Sequence, residues 1–360
     1  MRMRRMSLAV LAAALGGALC ASAPPALPML GPPVELKLPG RPAAVASLKT
    51  DDEGRLYLTD IDGGRVFVYS PEGRFIRTIG APGVGPGRMR RPIDLSLCGD
   101  TLAVREDHGP IHFFSATTGR WLRTLRLPPS NYSTQWFLTP KRIVFPGESF
   151  PVIPVPGRPV ELWLLYSTNW EGREPRINDS RAYAPGQFDV SREAQWAGTS
   201  YATPWGRGRW AVTHALPRKI FLLDEEGRTL AVSKADPADE SRLPNTAFDT
   251  IEATGKAIAA SQYVCGLVPA GRLLGVVWQH RLERMPLEVE WMNEQLQTVG
   301  RQPLSLPFPL ATFDCLSIAA TDRFGRVYLI VKHIDYSRLA YTTSLYVLHL
   351  TLPGKGHEQG

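Results

Sequence analysis

Residues 43–80 read AAVASLKTDDEGRLYLTDIDGGRVFVYSPEGRFIRTIG, and this stretch decides the fold. It contains four apolar runs of strand length, and three turn signals separate them: Asp-Glu-Gly at 52–54, Asp-Gly-Gly at 62–64 and Pro-Glu-Gly at 71–73. Glycine-containing turns between runs of β-branched and aromatic residues are typical of hairpins. The stretch therefore predicts a four-stranded antiparallel meander, which is the unit of a propeller blade.

The same pattern recurs along the chain. Five further units can be aligned with the first, at residues 93–125, 136–177, 202–233, 251–306 and 316–350. The last unit shows only three strands, whereas residues 33–40 form one orphan strand before the first unit. We expect the orphan to complete the last blade, because pairing it there leaves no open seam. The prediction is an all-β, six-bladed β-propeller of four-stranded antiparallel blades over residues 33–352.

Two polar or flexible segments lie outside this repeat pattern, and a third lies inside it. Residues 24–32 are a Pro-rich linker, and residues 353–360 form a tail that we expect to be disordered. Residues 169–198 are predicted to be a long polar insertion between blades 3 and 4. A loop of this length in a compact repeat is either functional or disordered.

The N-terminus predicts export. Residues 1–6 are basic, residues 8–19 are apolar and residues 21–23 are small, which is the pattern of a secretory signal peptide over residues 1–23. The apolar run is too short for a membrane span, and no later run is long enough. We expect a periplasmic or extracellular protein. A lipid anchor at Cys20, giving an outer-membrane lipoprotein, is the alternative.

Composition narrows the functional classes. Hydrophobic residues make up 44% and charged residues 21% of the 360 residues, and Gly and Pro are present at 32 each, which favours short strands and turns. The net charge is +7, but there is no block of Lys and Arg, so nucleic acid is not an expected partner. No CxxC motif occurs, which excludes zinc ribbons. Cys265 and Cys315 either pair or remain buried thiols.

Three stretches of sequence resemble the NHL-repeat family. Residues 79–92, IGAPGVGPGRMRRP, resemble the Gly-rich linker and late proline that precede a new blade in that family. Residues 54–60, GRLYLTD, and residues 65–73, RVFVYSPEG, resemble its following strands. The resemblance implies an exported bacterial propeller of the NHL kind. Most such propellers are binding platforms and a minority are enzymes, so the resemblance constrains fold more than activity.

One face of the predicted ring collects polar residues. The loops between the second and third strands of each blade open on the same face as the connections between blades, and four of the seven histidines fall there. Imidazole and carboxylate groups from several blades could bind a divalent metal or act as acid and base. The alternative is that such residues only cap their loops. The candidates for a ligand-binding face are Asp60, Glu106, His108, Trp205, His214, His280, His333 and Asp335.

The expected function is binding rather than catalysis, because the chain has no nucleophile elbow and no phosphate-binding loop. The expected ligand is a peptide, a protein or a glycan, and no cofactor is expected. The alternative is a hydrolase or lyase that depends on a divalent metal, Ca²⁺ or Zn²⁺. Its candidate metal ligands are His214, His280 and His333.

Overall fold

The computed structural model is an all-β molecule, and six sheets of four or five strands confirm the predicted blades. It describes residues 26–107, 109–126, 136–149, 160–183, 201–213, 219–233, 262–280, 287–308, 315–335 and 340–353. No helix occurs in these ranges, and therefore none that could span a membrane. Each blade is an antiparallel meander whose strands follow one another from the axis outward.

The first three blades lie in the N-terminal half of the chain. Blade 1 consists of strands Leu48–Thr50, Leu56–Asp60, Arg65–Tyr69 and Phe75–Ile79. Blade 2 consists of Pro92–Cys98, Thr101–Glu106, Ile111–Ser115 and Trp121–Leu125, and blade 3 of Phe137–Leu138, Ile143–Ser149, Val160–Thr168 and Arg176–Tyr183. Between blades 1 and 2, Ala81–Pro82 and Arg88–Met89 form a small parallel pair.

The other three blades complete the ring. Blade 4 consists of Tyr201–Pro204, Arg209–Thr213, Ile220–Asp224 and Thr229–Val232, and blade 5 of Gln262–Ala270, Leu273–His280, Leu287–Met292 and Thr298–Pro303. Blade 6 consists of Cys315–Thr321, Arg326–Asp335 and Ala340–Thr351, to which the N-terminal strands Met29–Leu30 and Val34–Glu35 are added.

Pairing of the N-terminal segment with blade 6 confirms the predicted closure. Val34 lies opposite Val347, and the Leu36 N–H donates to the Leu345 carbonyl at 2.8 Å. The pairing begins earlier than the sequence predicted, because Met29–Leu30 also pairs with blade 6 inside the segment assigned as a linker. The partner strand Ala340–Thr351 has 12 residues, so it is long enough to accept both segments.

The assignment of residues 169–198 as an insertion was wrong in part. Arg176–Tyr183 is the outer strand of blade 3 and pairs with Val160–Thr168. Its sequence, RINDSRAY, is polar because an outermost strand faces water and needs few apolar residues. The remainder, residues 184–198, lies outside the described residues, as do residues 1–23 and the tail from residue 354.

Apolar side chains fill the six interfaces between neighbouring blades. Each interface has its own cluster of buried residues, and the cluster that joins blades 6 and 1 contains Tyr328 and Ile330 from one side and Leu48 and Leu58 from the other. A cluster at this last interface requires a closed ring. The core is thus arranged around an axis, and the innermost strands face that axis.

An Asp-x-x-Gly-Arg-x-Tyr motif holds the first turn of blades 1 and 6. In blade 6 the Asp322 carboxylate accepts hydrogen bonds from the Arg326 N–H at 3.0 Å, the Arg326 Nε at 2.6 Å and the Tyr328 hydroxyl at 3.0 Å. Asp51 makes the same contacts with Arg55 and Tyr57 in blade 1. The motif therefore ties the turn to the second strand.

Candidate functional site

Asp60 caps its own loop. It ends the second strand of blade 1 and is buried, and its carboxylate accepts hydrogen bonds from the Gly63 N–H and the Arg65 Nε, both at 3.0 Å. These contacts satisfy both oxygens inside one blade. Asp60 therefore matches the loop-capping interpretation and not the ligand-binding interpretation.

Glu106 belongs to a network inside blade 2. Its carboxylate lies 2.7 Å from Nε2 of the buried His112, whose Nδ1 lies 3.1 Å from the Thr124 hydroxyl. The Trp121 indole N–H also donates to that hydroxyl, at 3.3 Å. The four side chains link the second, third and outer strands of the blade, and so direct Glu106 away from the axis. The Glu106–His112 pair was not among the sequence predictions.

The other predicted face residues do not form one site in the described part of the chain. Trp205 was wrongly assigned to the face, because it is 1% exposed and packs in the cluster between blades 4 and 5. The indole of Trp205 fills the interface between these two blades. His333 is half-buried, and its Nε2 lies 3.0 Å from the Ser344 hydroxyl of its own blade.

The predicted metal ligands are not brought together by what the structure describes. His108 and His214 lie outside the described residues, and only the backbone of His280 and Asp335 is described, at strand ends. Within the described ranges no group of three or more His, Cys, Asp or Glu side chains has the arrangement of a metal site. A site at His214, His280 and His333 stays a prediction.

The structure instead shows a cavity of about 450 Å³ on the axis of the ring, and the innermost strands of all six blades line it. Small-molecule sites in proteins commonly measure roughly 300–1,000 Å³. Polar lining residues come chiefly from blades 1, 2 and 6, and include Ser47, Ser96 and Ser317. The cavity is therefore large enough, and polar enough, to hold a small ligand or one group of a larger ligand.

Two opposite charges line this cavity on neighbouring blades. Lys49 lies on the innermost strand of blade 1, and its ammonium donates to the Ala319 carbonyl of blade 6 at 3.0 Å. Asp94 lies on the innermost strand of blade 2, is buried, and accepts a hydrogen bond from the Leu95 N–H at 2.8 Å. In the described part of the chain, neither group is in direct ion-pair contact with an opposite charge.

Burial disfavours the charged form of both groups. It lowers the pKa of the Lys49 ammonium, against the opposing effect of the Asp94 charge. It raises the pKa of the Asp94 carboxyl, while the Lys49 charge and a hydrogen bond from Ser47 act in the opposite direction. Groups with shifted pKa values in a cleft are candidates for a functional site, because their desolvation is unfavourable when no ligand compensates for it.

The sequence of the innermost strands contains a signal for this cavity, and the residues predicted at the loops do not. The innermost strands alternate polar and apolar residues, as in Ser47-Leu48-Lys49 and Asp94-Leu95-Ser96. Because strand side chains alternate between faces, Ser47 and Lys49 share a face, as do Asp94 and Ser96. In a closed ring that face is the wall of the axial cavity.

Comparison with known proteins supports the architecture. A family model described as a six-bladed β-propeller, DUF5128, matches residues 43–142. The chain is a six-bladed β-propeller. No curated protein sequence matches it.

Two solved structures share this propeller fold at low sequence identity. The propeller resembles a member of the DUF4221 family from Bacteroides vulgatus, with a TM-score of 0.57, 9% identity and coverage of 91% of this chain and 98% of that one. It also resembles a candidate exported protein from Bacteroides fragilis, with a TM-score of 0.56, 12% identity and coverage of 90% and 95%. At these identities the likeness concerns the fold alone.

Proposed function

We propose that this protein is an exported bacterial propeller of the NHL-repeat kind that binds a ligand without transforming it. The ligand is a peptide, a protein or a glycan that docks on the face carrying the loops between second and third strands. One group of the ligand enters the axial cavity and contacts Lys49 and Asp94. The protein works in the periplasm or outside the cell.

The observation that carries this proposal is the axial cavity with its two separated charges. All six blades contribute to its wall, so the ring must be assembled before the site exists. Lys49 and Asp94 lose hydration on folding and do not recover it by pairing with each other. A ligand that contacts both charges would offset that cost, and the proposal depends on this site because a fold alone does not determine function.

Binding should be tested with the purified mature protein on glycan and peptide arrays, followed by calorimetric titration of the ligands found. Lys49→Met should weaken binding at least tenfold, because it removes the charge in the cavity while retaining the length of the side chain. Lys37→Met is the matched control, since Lys37 is exposed on the N-terminal segment. A ligand whose affinity is unchanged by Lys49→Met and by Asp94→Asn would refute the axial site.

Export should be tested separately. The intact mass of protein recovered from a bacterial envelope fraction should show removal of residues 1–23, without added lipid. A mass that includes a diacylglyceryl group on Cys20 would establish the anchored alternative. Full-length protein found only in the cytoplasm would refute export.

A further inference from the structure

We propose that the group bound in the axial cavity is a carboxylated sugar ring, such as a hexuronic acid residue of a glycan. The inference rests on the proposed function and names its ligand class. It follows from how the charged, hydroxyl-bearing and aromatic residues are distributed around the axis.

The cavity has two unlike walls. Blades 3 and 4 contribute four aromatic side chains to the lining, whereas blades 6, 1 and 2 contribute the charged groups and most hydroxyls. In a ring of six, blade 3 lies opposite blade 6 and blade 4 lies opposite blade 1, so the aromatic wall faces Lys49 and Lys332. The aromatic residues are Trp136, Phe137, Tyr201 and Trp210.

The aromatic wall offers its apolar surface chiefly through Trp210, because Trp136, Phe137 and Tyr201 are buried in the clusters between blades. Phe137 and Trp210 stack with ring centroids 6.2 Å apart and an interplanar angle of 21°, and Trp210 is only half-buried. A pyranose ring has an apolar face of C–H groups that packs on such a surface, while its hydroxyls remain at the edge. A linear carboxylate or an aliphatic amino acid has no comparable face.

The opposite wall offers a cation for a carboxylate and acceptors and donors for hydroxyls. The Lys49 ammonium has three N–H donors, and the structure shows one of them used by the Ala319 carbonyl. The Asp94 carboxylate can accept hydrogen bonds from ligand hydroxyls. Ser96 accepts a hydrogen bond from the Leu138 N–H at 2.9 Å, so its hydroxyl proton remains to be donated.

The cavity can take a ligand that carries one carboxylate. The charged residues that line it are two lysines, Lys49 and Lys332, and one carboxyl group, Asp94. A hexuronate carries one carboxylate and several hydroxyls, so it matches the cation, the acceptor and the aromatic surface together. A neutral hexose leaves Lys49 without a counter-ion, and an aromatic carboxylate leaves Asp94 without a donor.

The test is calorimetric titration of the purified mature protein at low salt with sodium glucuronate and sodium galacturonate. Glucose and galactose are the matched neutral sugars, and phenylacetate is a carboxylate with a ring but no hydroxyls. We expect the uronates to bind at least tenfold more tightly than their parent hexoses and more tightly than phenylacetate.

Variants then assign the contacts. Lys49→Met should reduce uronate binding to the level of the hexose, whereas Lys37→Met should leave the preference intact. Asp94→Asn should weaken uronate and hexose by similar factors, because it acts on hydroxyls that both sugars share. Thermal melting of each variant confirms that it is folded.

Four results would overturn the inference: absence of uronate binding, equal affinity for a uronate and its hexose, a preference that survives Lys49→Met, or phenylacetate binding as tightly as the uronates. If a peptide or a neutral glycan then binds with an affinity that Lys49→Met lowers, the proposed function stands without this ligand class. If no ligand on the arrays binds, both fail.

Discussion

Replacing Asp322 with alanine should lower the free energy of unfolding by about 3–5 kcal/mol, which is the usual cost of removing one partner of a buried charge pair. Asp322 holds the first turn of blade 6, and its side chain is 0% exposed. Blade 6 is also the blade where the N-terminal strands close the ring, so the change should affect the whole molecule.

The magnitude follows from the contacts that are lost. The carboxylate accepts hydrogen bonds from the N–H groups of Phe324 and Arg326, from the Arg326 Nε and from the Tyr328 hydroxyl, at 2.6–3.0 Å. Bonds to a charged group contribute about 1.5–3 kcal/mol each, but they are not additive. The Arg326 side chain, which also donates to the Pro71 carbonyl of blade 1 at 2.5 Å, loses its counter-ion.

Denaturant unfolding followed by tryptophan fluorescence measures this cost as a shift of the midpoint at constant slope. Asp51→Ala removes the same motif from blade 1, where the carboxylate is 9% exposed, and should cost less. Asp52→Ala, an exposed neighbour, is the control and should change stability by less than about 0.5 kcal/mol. A loss below about 1 kcal/mol for Asp322→Ala, or a larger loss for Asp51→Ala, would refute the reasoning.

Three further outcomes are expected. A chain that begins at Pro39 lacks the strands that close blade 6. Its free energy of unfolding, measured with denaturant, should fall by about 3–6 kcal/mol, because the burial of Leu30 and Leu38 is lost. Unchanged stability would contradict closure by this segment. Burial raises the pKa of Tyr69 to about 12. The contribution of Tyr69 to the free energy of unfolding should therefore be complete below about pH 10 and decline as the pH rises to 12. The decline should be smaller in Tyr69→Phe, as measured by unfolding against pH. Lys49→Met should raise the unfolding midpoint at pH 7, whereas Lys37→Met should not, because burial lowers the pKa of Lys49 and its charged form destabilises the fold. The gain in stability should shrink as the pH approaches about 10.4. A Lys49→Met variant that is less stable than the unmodified protein would contradict this expectation.

The blade pattern was predictable because turns and apolar alternation are local properties. Glycines at positive φ, such as Gly54 and Gly73, end the hairpins at the predicted turns. Closure was predictable from two incomplete ends, the orphan segment and the three-stranded last unit. Both inferences use only the sequence and the rule that exposed sheet edges are avoided.

Outer strands were harder to predict because apolar content is a poor guide to them. Arg176–Tyr183 has the composition of a loop, yet it pairs along blade 3 through backbone hydrogen bonds that any side chain permits. Outer strands elsewhere retain a few exposed apolar residues, such as Phe75 and Leu230, which made them recognisable. Side-chain patterns therefore fail first at the rim of the ring.

The site was missed for a different physical reason. Polar residues at loop tips attract attention, but Asp60 and Glu106 satisfy their hydrogen bonds within their own blades. The polar face of an innermost strand resembles an ordinary solvent-facing surface when the strand is considered alone. When the ring closes, that face surrounds a small cavity, where the desolvation of a charge such as Lys49 is unfavourable. In a propeller sequence, a charge at an alternating polar position of the innermost strand thus predicts a charged wall of the axial cavity.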